Sequence, residues 1–210
     1  MVLNIEEKFW SGNFGDNYIK RNSDKSLLKN NYSLFKKILK KKKFSNLIEL
    51  GANVGLNIMA INKIFPEVKN YAVEINKTAC QELSSNISRC KVYNGSILDY
   101  NNYSRNFEKK NWDLVILKTV LIHVNPKYLE KVYKILQKCS KKYLLICEYY
   151  SPRPVMVKYR GHQNKLFKRD FAGEIIDNYP FKLDSYGFVY HKDQIAPQDD
   201  INWFLLKKIN

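Results

Sequence analysis

Residues 46–65, NLIELGANVGLNIMAINKIF, place a short apolar strand, a turn with two glycines and an apolar-faced helix in direct succession. No other stretch restricts the fold so tightly, because a strand running through a glycine turn into a helix opens a βαβ unit, which demands a parallel neighbour and a right-handed crossover. The rest of the chain supplies the neighbours. Apolar runs at 70–75 (NYAVEI), 91–94 (KVYN), 112–117 (WDLVIL) and 142–147 (KYLLIC) read as buried strands, with Tyr143 and Leu145 as core residues. Amphipathic stretches separate several of them: Ala79, Leu83 and Ile87 recur four apart, and Leu129, Val132, Tyr133 and Leu136 follow an Asn125–Pro126 helix start. A further helix, roughly 25–42, closes on the lysine run 40–43, where cations suit the negative end of the macrodipole.

The rhythm breaks after residue 148. A segment rich in Tyr, Arg and Pro (149–168) precedes a short helix near 170–179. Two strand-like runs follow, KLDSYGFVYH and INWFLLKKI, with only a loop between them, so they should pair antiparallel. The reading is a single α/β domain over 1–210, with an N-terminal helical cap (1–45) and a substrate-side insertion (149–170).

Composition narrows the function classes. With 45% apolar and 27% charged residues in 210, the chain can fill a core, which argues against disorder. No run approaches the ~18 apolar residues of a membrane span, and MVLNIEEKFW lacks the basic and apolar regions of a signal peptide, so a soluble cytoplasmic protein without a membrane partner is expected. The cysteines Cys80, Cys90, Cys139 and Cys147 form no CxxC pair, and no metal is expected. A net charge of +16 raises the question of nucleic acid. Only six of the 36 cations are Arg, however, and 23 Asn accompany the lysines, a bias of AT-rich coding more than a surface shaped to grip phosphate. No specific nucleic-acid partner is expected, and the sequence leaves the oligomeric state open.

The turn itself points to a ligand. ELGANVGLN (49–57) has the spacing G-x-N-x-G, not the G-x-G-x-x-G of a dinucleotide site nor the Gly-Lys-Ser/Thr of a P-loop. Glu74 ends the second strand 23 residues beyond Gly51, where a carboxylate can accept both ribose hydroxyls. The pair reads as a nucleoside site without a diphosphate, which fits S-adenosylmethionine (SAM); an ordinary turn beside a solvent-exposed Glu is the competing account. Ser96, Ile97 and Asp99 in NGSILD are candidates to reach the adenine. Lys118, Thr119 and His123 in LKTVLIHVNP fall beside the methyl donor.

The succession ELGANVGLN, VEIN, SILD, VLIHVNP, EYY, YRGH, LFKRDFAGE, YGFVYH and QDDINWFLL resembles the pseudaminic acid biosynthesis-associated methylases, a family of class I SAM-dependent methyltransferases, over nearly the whole chain from FWSGNFGDNYIKRN (9–22) onward. The resemblance implies a Rossmann-like class I methyltransferase fold, a seven-stranded mostly parallel sheet with an antiparallel last strand and helices on both faces. It also implies SAM as donor, S-adenosylhomocysteine (SAH) as product, and a small acidic sugar or sugar precursor of nonulosonic acid biosynthesis as acceptor.

The expected cofactor set is Gly51, Asn53, Gly55, Asn57, Glu74, Ile75, Ser96, Ile97 and Lys118, with Tyr18 from a cap formed by Trp10, Phe14 and Tyr18. Methyl transfer is a displacement dominated by alignment, and a hydroxyl or ammonium acceptor also needs a base; His123 is the catalytic candidate, against a helix-capping or cofactor-packing role. Glu148, Tyr149 and Tyr150, after the fifth strand, and Arg160, His162, Arg169 and Asp170 in YRGHQNKLFKRDF are candidates for acceptor contacts; two scarce Arg in one insertion suit a carboxylate or phosphate. Asp170 is equally an N-cap. A nucleic-acid (RNA) methyltransferase and a SAM-binding pathway protein without turnover are the alternatives; LKTVLIH in place of a (D/N/S)PP(Y/F) motif speaks against the first, and nothing in the sequence excludes the second.

Overall fold

A computed structural model describes residues 3–21 and 25–209; Asn22, the last residue of the expected cap segment, lies outside them. Helices α1 (Ile5–Ser11), α2 (Asn13–Arg21) and α3 (Lys25–Leu39) lead into β1 (Asn46–Leu50), α4 (Leu56–Asn62), β2 (Lys69–Glu74), α5 (Lys77–Asn86), β3 (Lys91–Asn94), α6 (Tyr100–Asn106) and β4 (Trp112–Lys118). Then come α7 (Leu129–Cys139), β5 (Ser140–Glu148), β6 (Val155–Tyr159), β7 (His162–Lys168), α8 (Phe171–Asn178), β8 (Phe181–Val189) and β9 (Ile201–Lys208).

The main sheet runs β3-β2-β1-β4-β5-β9-β8. Strands β1 to β5 pair parallel, and β9 lies antiparallel between β5 and β8. The expected mostly parallel seven-stranded sheet is present. Strand β8 is antiparallel to β9, which is antiparallel to β5, so β8 points the same way as the parallel strands. The 190–200 loop therefore leaves from the edge where β1, β2, β4 and β5 end.

Alternation along the strands builds two cores. Ile48, Leu50, Val115, Leu117, Leu144, Ile146 and Leu206 face α6, α7 and α8, meeting Tyr103, Val132, Leu136, Phe171 and Ile175. Leu47, Leu114, Ile116, Leu145 and Leu205 face the other way, against Phe35 and Leu39 of α3, Ile58 and Ile61 of α4 and Leu83 of α5. Burying a side chain of this kind is worth about 1.5–3 kcal/mol, and both strand periods deliver one at every second residue.

Four details depart from the sequence reading. Helix α3 belongs to the second core layer and ends at Leu39, so only α1 and α2 act as a cap. Within the segment 149–168, for which no strand was expected, residues 155–168 form a two-stranded hairpin with its own register, Met156 opposite Phe167 and Val157 opposite Leu166. Gly161, at φ +88°, makes its turn. Tyr143, expected in the core, is only partly buried, with the Lys42 ammonium 5.8 Å over its ring, whereas Leu145 is fully buried.

The glycines of the first turn are needed for two reasons. Both have positive φ, +80° at Gly51 and +84° at Gly55, a region costly for residues with a Cβ. A Cβ on Gly51 would come within 2.6 Å of Val120 Cγ2, and one on Gly55 within 2.9 Å of Ile87 Cδ1 and 3.0 Å of Leu83 Cγ. Gly55→Ala should therefore destabilise the fold by about 1–2 kcal/mol, a melting temperature lower by roughly 2–8 °C in thermal unfolding, with far-UV circular dichroism unchanged.

Candidate active site

The β1 turn folds back under β2. Gly51 and Ala52 donate their N–H groups to the Val73 carbonyl at 2.8 and 3.2 Å. Asn53 N–H donates to Glu74 Oε2 at 2.7 Å while Asn76 N–H donates to Oε1 at 2.8 Å. One carboxylate thus ties the turn after β1 to the turn after β2. Burial raises its pKa against the pull of those amides. Each oxygen keeps a lone pair for a further donor.

Around this carboxylate opens a cleft of about 580 Å³, within the range of small-molecule sites. Gly51, Asn53, Asn57, Glu74, Ile75, Ser96, Ile97, Lys118 and Tyr18 all line it; Gly55 is the N-cap of α4 beneath them. Asp99 is not in its wall: it accepts the Tyr93 hydroxyl at 3.0 Å and starts α6. Several wall atoms are buried without a hydrogen-bond partner, namely Asn53 Oδ1, Asn57 Oδ1 and Gln198 Nε2, together with Glu49 Oε2 just behind Asn57. A buried polar atom left unpaired costs about 1–3 kcal/mol, and a polar group entering the cleft could meet these ones. Three lining residues, Asn53 (φ 48°), Thr119 (φ 55°) and Arg160 (φ 47°), sit in the left-handed region, as strained residues at functional sites often do.

Buried charges organise the floor. The Glu148 carboxylate takes three backbone donors from one loop: Val120 N–H donates to Oε1 at 2.8 Å, Leu121 N–H at 2.9 Å, and Ile122 N–H reaches Oε2 at 3.5 Å. Glu148 therefore holds the loop after β4 and does not face the cleft, contrary to the acceptor contact read from sequence. Burial pushes its carboxyl up to about 7 and that of Glu49 up to about 8, while Asn57 donates to Glu49 Oε1 at 2.5 Å. Burial also lowers the pKa of Lys118, and the nearby acids Glu49, Asp199 and Glu148 act in the opposite sense.

Helix α1 closes the top with two acids. Glu7 caps its own helix start with Asn4 and takes the Ser96 hydroxyl; Glu6 accepts from Asn125 Nδ2 at 3.2 Å and lies 3.9 Å from Lys165 Nζ. Trp10 packs on the His123 ring at 4.6 Å between centroids, and Tyr159 of the hairpin packs on it at 4.9 Å. His123 donates Nδ1–H to the Lys165 carbonyl at 2.7 Å, which leaves Nε2 as an acceptor. Burial drives its pKa down to about 4.

The remaining acceptor candidates divide. Arg160 lines the cleft with its guanidinium 5.9 Å from the Tyr159 ring. Arg169 is spent on Glu174, with Nε and the terminal nitrogen each 2.7 Å from Oε1, and Asp170 caps α8 by accepting Gly173 N–H at 2.8 Å. His162 sits outside the cleft against Phe9 and Phe14, and Tyr150 packs on Phe204. Tyr149 donates its hydroxyl to Asp199 at 3.0 Å. Asp199, Gln198, His191 and Glu49 escaped the sequence reading; the acid inside the apolar run NLIEL was the available signal for Glu49.

With this geometry in view, the solved structures most similar to the chain are informative. No protein-family model and no curated protein matches the sequence. The magnesium protoporphyrin IX methyltransferase from Synechocystis PCC 6803, crystallised with SAH, superposes with a TM-score of 0.72 over 98% of each chain at 10% identity. The Burkholderia thailandensis 1,6-didemethyltoxoflavin-N1-methyltransferase, with its substrate and SAH, gives 0.70 over 100% of this chain and 93% of its own, also at 10% identity. A SAM-dependent methyltransferase from Archaeoglobus fulgidus gives 0.67 over 93% and 100%, again at 10% identity. The chain has the Rossmann-like fold of SAM-dependent methyltransferases.

The pKa of His123 gives an acid signature. Its folded pKa lies below that of a free imidazole, so the stability its neutral form contributes is complete above about 6.5 and is lost as pH falls toward 4, up to about 3 kcal/mol. Glu49 and Glu148, raised by burial, act in the opposite sense, their contribution fading as pH rises toward 7 and 8. In urea titrations between pH 7 and 4, His123→Gln should lose less stability than the wild type.

Proposed function

We propose that this chain is a methyltransferase that moves the methyl group of SAM to a hydroxyl or amine of a small polar acceptor. The observation that carries the reading is the Glu74 carboxylate, pinned under the glycine turn with a lone pair left on each oxygen and unpartnered polar atoms along the same wall. The residues fit the cofactor chemically. Glu74 would accept the ribose hydroxyls, and Ile75, Ile97 and Leu98 would flank the adenine beside Ser96. Asn53 Oδ1 and Asn57 Oδ1 suit the ammonium of the amino-acid tail, and Lys118 with Gln198 Nε2 suits its carboxylate. When bound, the group supplies a methyl activated by sulfonium charge.

The chain's own part is alignment and exclusion of water. Helix α1, latched by Glu6 and Glu7, and the hairpin with Tyr159 close the acceptor side. Neighbours of this fold act on acceptors as different as a porphyrin and a toxoflavin precursor, so the fold does not select the acceptor. The resemblance to pseudaminic acid-associated methylases supports an acidic sugar or sugar precursor, and Arg160 is the cleft cation placed to meet its carboxylate or phosphate. His123 enters as a neutral hydrogen-bond acceptor; its low basicity argues against the role of proton acceptor expected from sequence.

Isothermal calorimetry with SAH tests the donor site. Losing charge-assisted bonds to ribose should cost about 1.5–3 kcal/mol, so Glu74→Ala should bind at least tenfold more weakly, and unchanged affinity in a folded variant refutes the assignment. Arg160→Ala should raise KM for an acidic sugar acceptor while leaving SAH affinity within twofold. Turnover by the wild type of none among nonulosonic acids, their amino-sugar precursors and their CMP-activated forms would remove that acceptor class.

A further inference from the structure

The loop between β8 and β9 carries an imidazole on the wall of the cleft, His191, paired with the Asp200 carboxylate behind it. His191, immediately after Tyr190 at the end of β8, lines the cleft together with Gln198 and Asp199. Its ring Nδ1 lies 2.9 Å from both oxygens of Asp200, and its backbone N–H donates to Asp200 Oδ1 at 2.9 Å. Asp200 is thus held from two directions by one residue. Its pKa is lowered by those hydrogen bonds, with the charge of Lys168 adding a smaller share, so it is an anion at neutral pH.

Because a carboxylate only accepts, the shared proton sits on Nδ1 and the lone pair of His191 is on Nε2, the nitrogen turned away from Asp200. The dyad is half-exposed, which keeps the imidazole solvated, in contrast to the desolvated His123. The strand order places it on the β5-β9-β8 side, across β1 and β4 from Glu74, hence on the side left for an acceptor.

Building on the methyltransferase reading, we infer that His191, oriented by Asp200, is the group that takes the acceptor proton. As the acceptor oxygen forms its bond to the methyl carbon, the carbon–sulfur bond breaks and its electron pair stays on sulfur, discharging the sulfonium. The hydroxyl proton passes to Nε2 of His191, and Asp200 balances the imidazolium until solvent removes the proton. Asp200 is a positioning residue that fixes the tautomer; His191 is the catalytic residue. Separating the two imidazoles in this way explains why one histidine is packed, partly buried, among Trp10, Tyr159 and the Lys165 carbonyl while the other keeps a carboxylate partner and access to water.

Two measurements decide it. The chain has only three histidines, so the imidazole 15N spectrum of the SAH-bound protein can be assigned with single variants. His191 should show the Nδ1–H tautomer, and Asp200→Ala should remove that preference; an Nε2–H tautomer in the wild type, or the same Nδ1–H preference kept in Asp200→Ala, overturns the dyad. Methyl transfer to a free nonulosonic acid is then followed from pH 5.5 to 9. His191→Asn should lower kcat about 100-fold at unchanged KM for SAM and abolish the acidic limb of the profile, with Asp200→Asn lowering kcat less. A kcat within twofold of wild type in His191→Asn, or a profile that keeps its acidic limb, overturns the catalytic role. Absence of transfer by the wild type counts against the acidic-sugar acceptor alone, and the imidazole spectra then decide the dyad.

Discussion

Glu74 accepts one backbone N–H from each of two loops, Asn53 after β1 and Asn76 after β2, and the site's floor follows from that bridge. A buried carboxylate is costly unless its oxygens are satisfied. The two amides meet that need only in part, which makes the residue both a brace and a receptor. Asn76 extends the brace upward: its side chain donates to Asp16 Oδ1 at 2.8 Å and caps α5 by accepting Ala79 N–H at 2.9 Å. The N-terminal helices are in this way registered against the same strand end that would read the ribose.

A second carboxylate repeats the logic one strand pair further on. Glu148 at the end of β5 gathers the amides of Val120, Leu121 and Ile122, setting the loop that presents His123. Lys118 stands between Glu148 and Glu49, so the central strands end in a row of buried ionisable groups whose pKa values are all displaced by burial. Such clusters are the usual mark of a functional edge. The acids of α1, Glu6 and Glu7, close the cleft from above through Asn125 and Ser96, which makes the lid's seating an electrostatic matter as well as an aromatic one.

The distribution of cations bears on the acceptor. Among the described residues of the 159–171 segment, Arg160 faces the cleft, Lys165 is drawn toward Glu6, and Arg169 is neutralised by Glu174. A high net charge thus coexists with a cleft whose wall holds acids as well as bases.

By itself the sequence determined the strand–turn–helix order, the glycine turn of 51–55 and the antiparallel pairing of the last two strands. Each is carried by local periodicity or by backbone angles that only certain residues adopt. Tertiary structure decided what the polar side chains do. Glu148 looked like an acceptor contact from its position after a strand, yet a loop 28 residues earlier consumes it. Arg169 looked like an anion reader, yet the turn into α8 brings Glu174 against it. His123 keeps its place in the cleft but loses basicity to desolvation, while His191 gains a partner across the 190–200 loop. A side chain's charge state and availability depend on what folds against it, and that packing is set by long-range contacts that no local pattern encodes.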